Sequence, residues 1–431
     1  MEETSFGNRL KWIGIAFLIV FSFLFLGGIH IGPISVRIVV AYGLLVYVLL
    51  HGDSDYLPTN GMKMYFLYVA VYLLVNILNY TAFSSVFIKD LMAVHFVCCI
   101  AIFAFPRIFK TEESIQGAYI VITFGFLLNA LVTILQAQDK PLGWSIGMFI
   151  NPTEIEELEE LQSKIIDTRE IRTSVVMGIL GKATANGYFV ATFLPVLTYY
   201  VWDKFHLKTL WAFFIFAISA VCVYFIQQRM ALVVVATYIL CVILLKNLPS
   251  SVKLLAISVA LLLILFYSDS ILSFDYTQAG RLFDFVDQTR SNTLSVFNDF
   301  ISDPRQLLFG NNQITTDKEK QVFLVIGHNA FTDTIRRGGL ILFLPFVVLF
   351  FCLCKTLIGV LLFSRDEEDY RTMGMAMGCL CFLLYSQTHS TGVQSGSIIF
   401  WTLYMLTIQS HKVKCEAIEA EEMEEEEDII E

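Results

Sequence analysis

His328 and Asn329 open a polar segment, HNAFTDTIRRGG, that runs directly into an apolar stretch beginning at Leu340. At helical spacing His328, Thr332 and Arg336 share one face. Asp333 stands four residues before Arg337, the separation at which a carboxylate and a guanidinium meet on a helix. That pairing leaves the imidazole of His328 free to accept a proton near neutral pH as a general base. The same ring beside a membrane also fits a hydrogen-bonded structural role, and the local pattern leaves both open.

Arginine is the second chemical signal. Arg229 lies in FIQQRMALVV, between two apolar runs. A cation there is costly unless it faces a wet cavity or an anion, or snorkels to headgroup phosphates. Arg281 and Arg290 flank a helix-like stretch, and Arg305 follows Pro304. Guanidinium grips phosphate oxygens with a two-pronged fork, so several arginines and one histidine at a membrane boundary suit a lipid-linked phosphate or pyrophosphate.

These residues are set in a chain of 431 residues that is 56% hydrophobic, with 38 Phe and only 16% charged residues. Water-soluble domains are less apolar and carry about a quarter charged residues, so this is a polytopic membrane protein. The net charge of −10 comes essentially from the acids between Glu416 and Glu431, and the remainder is near neutral. A like-charge run of that kind is expected to be a disordered, solvated tail over residues 411–431. The nine cysteines fall in apolar runs or in the tail, which argues against a disulfide framework or a cysteine zinc site. There is no Walker loop, Rossmann glycine pattern or zinc-spaced histidine pair, so no cofactor or metal is called for. No basic surface supports nucleic-acid binding.

Apolar runs occur near residues 12–28, 34–50, 64–78, 91–105, 118–135, 187–202, 210–226, 230–245, 254–267, 340–363, 373–385 and 397–408. The expected fold is all-α, a polytopic membrane protein of about twelve transmembrane helices, several of them short for a span. The first run is long and lacks a small-residue cleavage site, which makes it a retained span.

Lys63, Arg107, Lys110, Lys204, Lys208, Lys246, Lys253, Arg365, Arg371, Lys412 and Lys414 all fall in alternate connections. The opposite short loops hold little beyond Arg37, Lys89 and Arg229. By the positive-inside rule both termini are then cytoplasmic. The outer face receives two long loops, 138–186 and 268–339, the latter between the ninth and tenth spans. In the first, Ile155, Leu158, Leu161 and Ile165 form a helical stripe that predicts a small amphipathic helix. The second exceeds ordinary connection lengths, and its aromatic and aliphatic content predicts folded helices with a function. Residues 1–410 thus form one transmembrane domain.

Four segments, in order, resemble the O-antigen ligase and O-antigen polymerase superfamily. They are ATANGYFVATFLP (Ala183 to Pro195), in which Asn186 precedes a span; QQRMALVVV around Arg229; TRSNTLSVFNDFISDPRQLLFGNN (Thr289 to Asn312); and GHNAFTDTIRRGGLILFLPF. The likeness covers the second half of the chain well and the first half only as generic spans. The sequence departs from the family pattern in three places. Phe297 is the only candidate for the aromatic residue after the loop arginine. Gly310 alone stands for a glycine pair after Pro304, and Arg336-Arg337 occupies a position that is often acidic. Arg281 and Arg290 therefore both match the loop arginine, with the distance to Pro304 favouring Arg290.

The resemblance implies a metal-independent, inverting membrane glycosyltransferase of the bacterial inner membrane, acting on an undecaprenyl-pyrophosphate-linked glycan. It implies that Arg229 and Arg290, or Arg281, hold the donor pyrophosphate and that His328 activates the acceptor hydroxyl, with Asn329, Asn186, Arg336 and Arg337 in support. Its implied partners are the lipid-linked glycan, membrane lipid, and a chain-length regulator or other polysaccharide-assembly proteins. Pyrophosphate is a good leaving group that needs charge stabilisation, whereas a sugar hydroxyl needs a base; His328 is the sole histidine of the large outer loop. Polymerisation of lipid-linked repeat units of O-antigen, capsule or exopolysaccharide is the leading expectation. Ligase-type transfer to lipid A core, protein or another carrier is the alternative. A lipid-linked oligosaccharide flippase or transporter would instead show short loops and midplane charges.

Overall fold

The computed structural model describes residues 2–32, 34–51, 58–79, 85–138, 140–151, 176–180, 183–204, 208–226, 231, 234, 235, 238, 298, 300–311, 329–386 and 392–430. Within these the chain is a helical, membrane-embedded protein. Five of the described helices are long and apolar enough to cross a membrane: Gly7–Phe25, Asn60–Leu78, Leu91–Ile108, Glu112–Ala137 and Ala330–Asp366.

The first crossing is α1 (Glu2–Ala16), a π-helical turn (Phe17–Phe21) and α2 (Ser22–Phe25). A two-stranded antiparallel ribbon follows, β1 (His30–Ile31) against β2 (Ile34–Ser35), turning through Gly32 at φ +62°. Next come α3 (Val36–His51) and α4 (Asn60–Leu78). The following crossing combines α5 (Ser85–Asp90), a second π turn (Leu91–His95) and α6 (Phe96–Ile108). Then follow α7 (Glu112–Ala137), α8 (Pro141–Ile150), α9 (Ala183–Lys204), α10 (Lys208–Ile226) and α11 (Pro304–Phe309). The chain closes with α12 (Ala330–Asp366), α13 (Tyr370–Tyr385), a 3-10 turn (Val393–Ser395) and α14 (Ile398–Ile430).

Local chemistry sets the helix starts. Thr111 Oγ1 accepts the Ser114 N–H at 3.3 Å while Ser114 Oγ accepts the Thr111 N–H at 3.1 Å, and Glu112 and Glu113 lie in the positive first turn of α7. Asp369 Oδ1 accepts the Thr372 N–H at 3.2 Å to start α13. Among the described residues the most extensive packing is α9 on α13 and α12 on α4, with α11 against α12. Aromatic side chains fill the centre: Trp401, Tyr65, Tyr68, Tyr72, Tyr119 and Tyr404 are all buried.

One glycine contact positions the candidate site. Gly338 and Gly339 leave helical geometry inside α12, so its first turns form a separate short helix meeting the apolar span at a kink. Gly339 adopts φ +60°, and a Cβ there would sit inside the backbone of Leu308 at the end of α11; Gly310, at φ +69°, is pressed just as closely on Arg336 and Gly338. Only glycine allows both the left-handed backbone and this approach. The Asn311 N–H then donates to the Arg336 carbonyl at 2.7 Å, fastening the two segments together.

Each predicted apolar run that falls among the described residues coincides with a helix. The runs near 230–245 and 254–267 lie outside them, apart from Ala231, Val234, Val235 and Tyr238. The stripe at 155–165, and most of the second long loop, also lie outside. Three features differ from expectation. The ribbon and α8 were not anticipated, because both are too short to register as an apolar run. The acidic tail continues α14 as helix to Ile430 instead of forming a disordered run. Glutamate is a good helix former, and extending a helix already nucleated by its packed apolar part costs far less than starting one.

Candidate functional site

Three elements bring ionisable groups together at one end of the bundle. Helix α4 presents Tyr65, Tyr68 and Tyr72 on one face, all fully buried. The α5–α6 crossing supplies Asp90 and, at the end of its π turn, His95; such turns re-aim side chains and recur at functional sites. The short first segment of α12 supplies Asp333, Arg336 and Arg337.

Asp333 is the hub. It is 0% exposed, and its Oδ1 accepts from Arg336 Nη2 at 2.7 Å and Nε at 3.1 Å. Its Oδ2 accepts from Arg337 Nε at 2.8 Å, the i,i+4 pair that the sequence spacing predicts. Arg337 Nη1 reaches Asp90 Oδ2 at 3.6 Å, and the same oxygen accepts the Tyr72 hydroxyl at 2.9 Å. His95 Nε2 stands 3.7 Å from that carboxylate, while its Nδ1 lies 3.1 Å from the Tyr65 hydroxyl. Tyr68 closes the group by donating to the Gln394 carbonyl at 2.9 Å.

Two carboxylates and two guanidiniums balance one another. Arg336 and Arg337 are therefore committed to holding the helix start together, and their role is to brace. Removing one partner of such a buried set leaves an uncompensated charge and costs about 3–5 kcal/mol. Asn329 caps the helix these arginines brace: its Oδ1 accepts the Phe331 N–H at 2.8 Å and the Thr332 N–H at 3.4 Å. His328 is one peptide bond before that cap and lies outside the described residues, as do Arg229, Arg281 and Arg290.

Asn186 belongs to a second network. Asn129, Thr133 and Gln136 form one face of α7. Asn129 Nδ2 donates to Asn186 Oδ1 at 2.7 Å, and Asn186 Nδ2 donates to Thr133 Oγ1 at 3.0 Å. Asn129 Oδ1 accepts the Ile179 N–H at 3.0 Å; Gln136 Oε1 accepts from Met177 at 3.0 Å and Gly178 at 2.8 Å. These amides fasten the 176–180 turn to the bundle. The described contacts thus place Asn186 with α7, apart from the Arg336 and Arg337 group.

Asp90, His95 and the three tyrosines escaped the sequence reading. Their signals were the spacing of Tyr65, Tyr68 and Tyr72 and the ionisable pair in KDLMAVHFV, an acid and a histidine at the edge of an apolar run. Among the described residues no group of three or more His, Cys, Asp or Glu side chains is placed to hold a metal. No protein-family model and no curated protein matches this chain.

Proposed function

We propose that the chain polymerises lipid-linked oligosaccharide repeat units by glycosyl transfer from a polyprenyl-pyrophosphate donor at the outer face of a bacterial inner membrane, with both termini cytoplasmic. The observation that carries this reading is the braced helix start. Asn329, Asp333, Arg336 and Arg337 fix the segment into which His328 leads, and Gly338 and Gly339 separate it from the span behind. A base must be held to a fraction of an ångström of its acceptor, and a rigid, capped helix start supplies such a mount. In this mechanism His328 takes the proton of the acceptor hydroxyl as that oxygen attacks the anomeric carbon. The pyrophosphate departs on Arg229 and Arg290, with Arg281 as the other candidate.

A flippase or transporter of lipid-linked oligosaccharide is the alternative that one observation favours. Tyr72 and His95 are buried against the partly exposed Asp90, and ionisable relays of that kind serve transport. Proteoliposomes loaded with a lipid-linked repeat unit separate the two. A ladder of longer glycans is the expected result. Movement of the repeat unit between leaflets without elongation would overturn polymerisation in favour of transport, and transfer only to an added second carrier would mark a ligase.

A further inference from the structure

Beside the two networks lies an open cavity of about 330 Å³, lined by the end of the first crossing, the start of α3, Asn151, Tyr188 on α9, and the segment Ser395–Ile399. Arg37 forms part of its wall. Its guanidinium folds back over Gly27, where any side chain would collide with it, and makes one long hydrogen bond, Nη2 to the Leu24 carbonyl at 3.4 Å. Nε is buried and has no hydrogen-bond partner, and among the described residues no carboxylate lies within ion-pair distance of Arg37. The four charges around Asp333 are mutually compensated; this one is not. Arg37 is partly exposed, and the buried part of its guanidinium needs an anion or strong acceptors to offset its lost hydration.

The rest of the wall supplies donors suited to an oxyanion. Ser397 Oγ accepts the Phe400 N–H at 3.5 Å, which leaves its own proton to give. The Tyr188 ring is held edge-on by Phe382, and Tyr188 lines the same space. Asn151 is anchored through its amide nitrogen to the Ile179 carbonyl and packs over Gly28, so the wall is built and not fluid. We propose that this cavity is a phosphate-binding site in which Arg37 supplies the charged fork and Ser397 and Tyr188 add hydroxyl donors. The phosphate is either free in solution or the headgroup of a membrane lipid. Such binding stands apart from the transferase reading, because it is measured without turnover.

The test uses the full chain purified in a neutral, phosphate-free detergent at ionic strength matched with chloride. The melting temperature is followed against inorganic phosphate, dihexanoyl phosphatidic acid and dihexanoylglycerol. The expected result is stabilisation by one or both phosphate probes and none by dihexanoylglycerol, with affinity weakened about tenfold or more in Arg37→Gln and less in Arg37→Lys. Stabilisation by inorganic phosphate assigns the site to a soluble phosphate; stabilisation by phosphatidic acid alone assigns it to a headgroup. A wild-type protein indifferent to both phosphate probes, equal stabilisation by dihexanoylglycerol, or undiminished affinity in Arg37→Gln would overturn the proposal. Should Arg37→Gln fail to fold, Ser397→Ala, which removes one donor, is expected to weaken phosphate binding several-fold, and unchanged affinity there would count against the site.

Discussion

Arg337 bridges two acids from different helices, holding Asp333 through Nε at 2.8 Å and reaching Asp90 through Nη1 at 3.6 Å. Asp333 lies on its own turn, whereas Asp90 belongs to the α5–α6 crossing. The pairing therefore ties the start of α12 to the body of the bundle, and the position of everything just before Asn329 depends on it.

Asp333→Asn removes the buried charge that Arg336 and Arg337 share and should lower stability by about 3–5 kcal/mol. Glu112 at the opposite end pairs with Arg371 but is 56% exposed, so Glu112→Gln should cost less than about 1 kcal/mol and less still in high salt. Melting temperatures of the two purified variants provide the check. Equal losses would mean that Asp333 is not the hub described.

Gly339→Ala should disrupt the α11 crossing, since it combines a left-handed backbone with a collision against Leu308. Gly359 lies in the helical part of α12 and faces open space, with nothing within 4 Å of where a Cβ would stand, so Gly359→Ala should be neutral or stabilise by up to about 1 kcal/mol. The comparison is made by the yield of monodisperse protein and its melting temperature. A Gly339→Ala protein as stable as Gly359→Ala would contradict the kink geometry.

Gln136→Leu removes the acceptor for the Met177 and Gly178 amides. Hydrogen exchange at those two amides should accelerate about tenfold, corresponding to one lost buried hydrogen bond. Ile179, held by Asn129, should change less. Uniform acceleration across all three would indicate that the turn opens as a unit.

Arg229→Ala and Arg290→Ala should each lower glycan elongation by about 10²-fold or more, with poor rescue by lysine, because a point charge does not reproduce the fork. Rates of folded variants in proteoliposomes provide the measurement. Wild-type rates in both would remove the pyrophosphate clamp.

The sequence disclosed the features whose cause is local. Asp333 and Arg337 are four residues apart, so spacing alone led to their pairing. Asp90, His95 and Tyr72 were illegible for the opposite reason. Each alone is a loop charge or a core residue, and only the tertiary register of α4 against the α5–α6 crossing and α12 makes them one group. Arg37 was read as an ordinary loop cation, because its want of an acidic partner is a property of the folded neighbourhood. The acidic tail misled through composition: repulsion among glutamates argues for a solvated run, yet the packed apolar part of α14 has already nucleated the helix.

The most direct test of the central claim is the elongation rate of His328→Ala in proteoliposomes, at matched amounts of folded protein and bound lipid-linked donor. A positioned base contributes on the order of 10²–10⁴-fold, so the variant should retain donor binding and lose elongation by about that factor. A His328→Ala protein that elongates glycan at the wild-type rate would contradict the account.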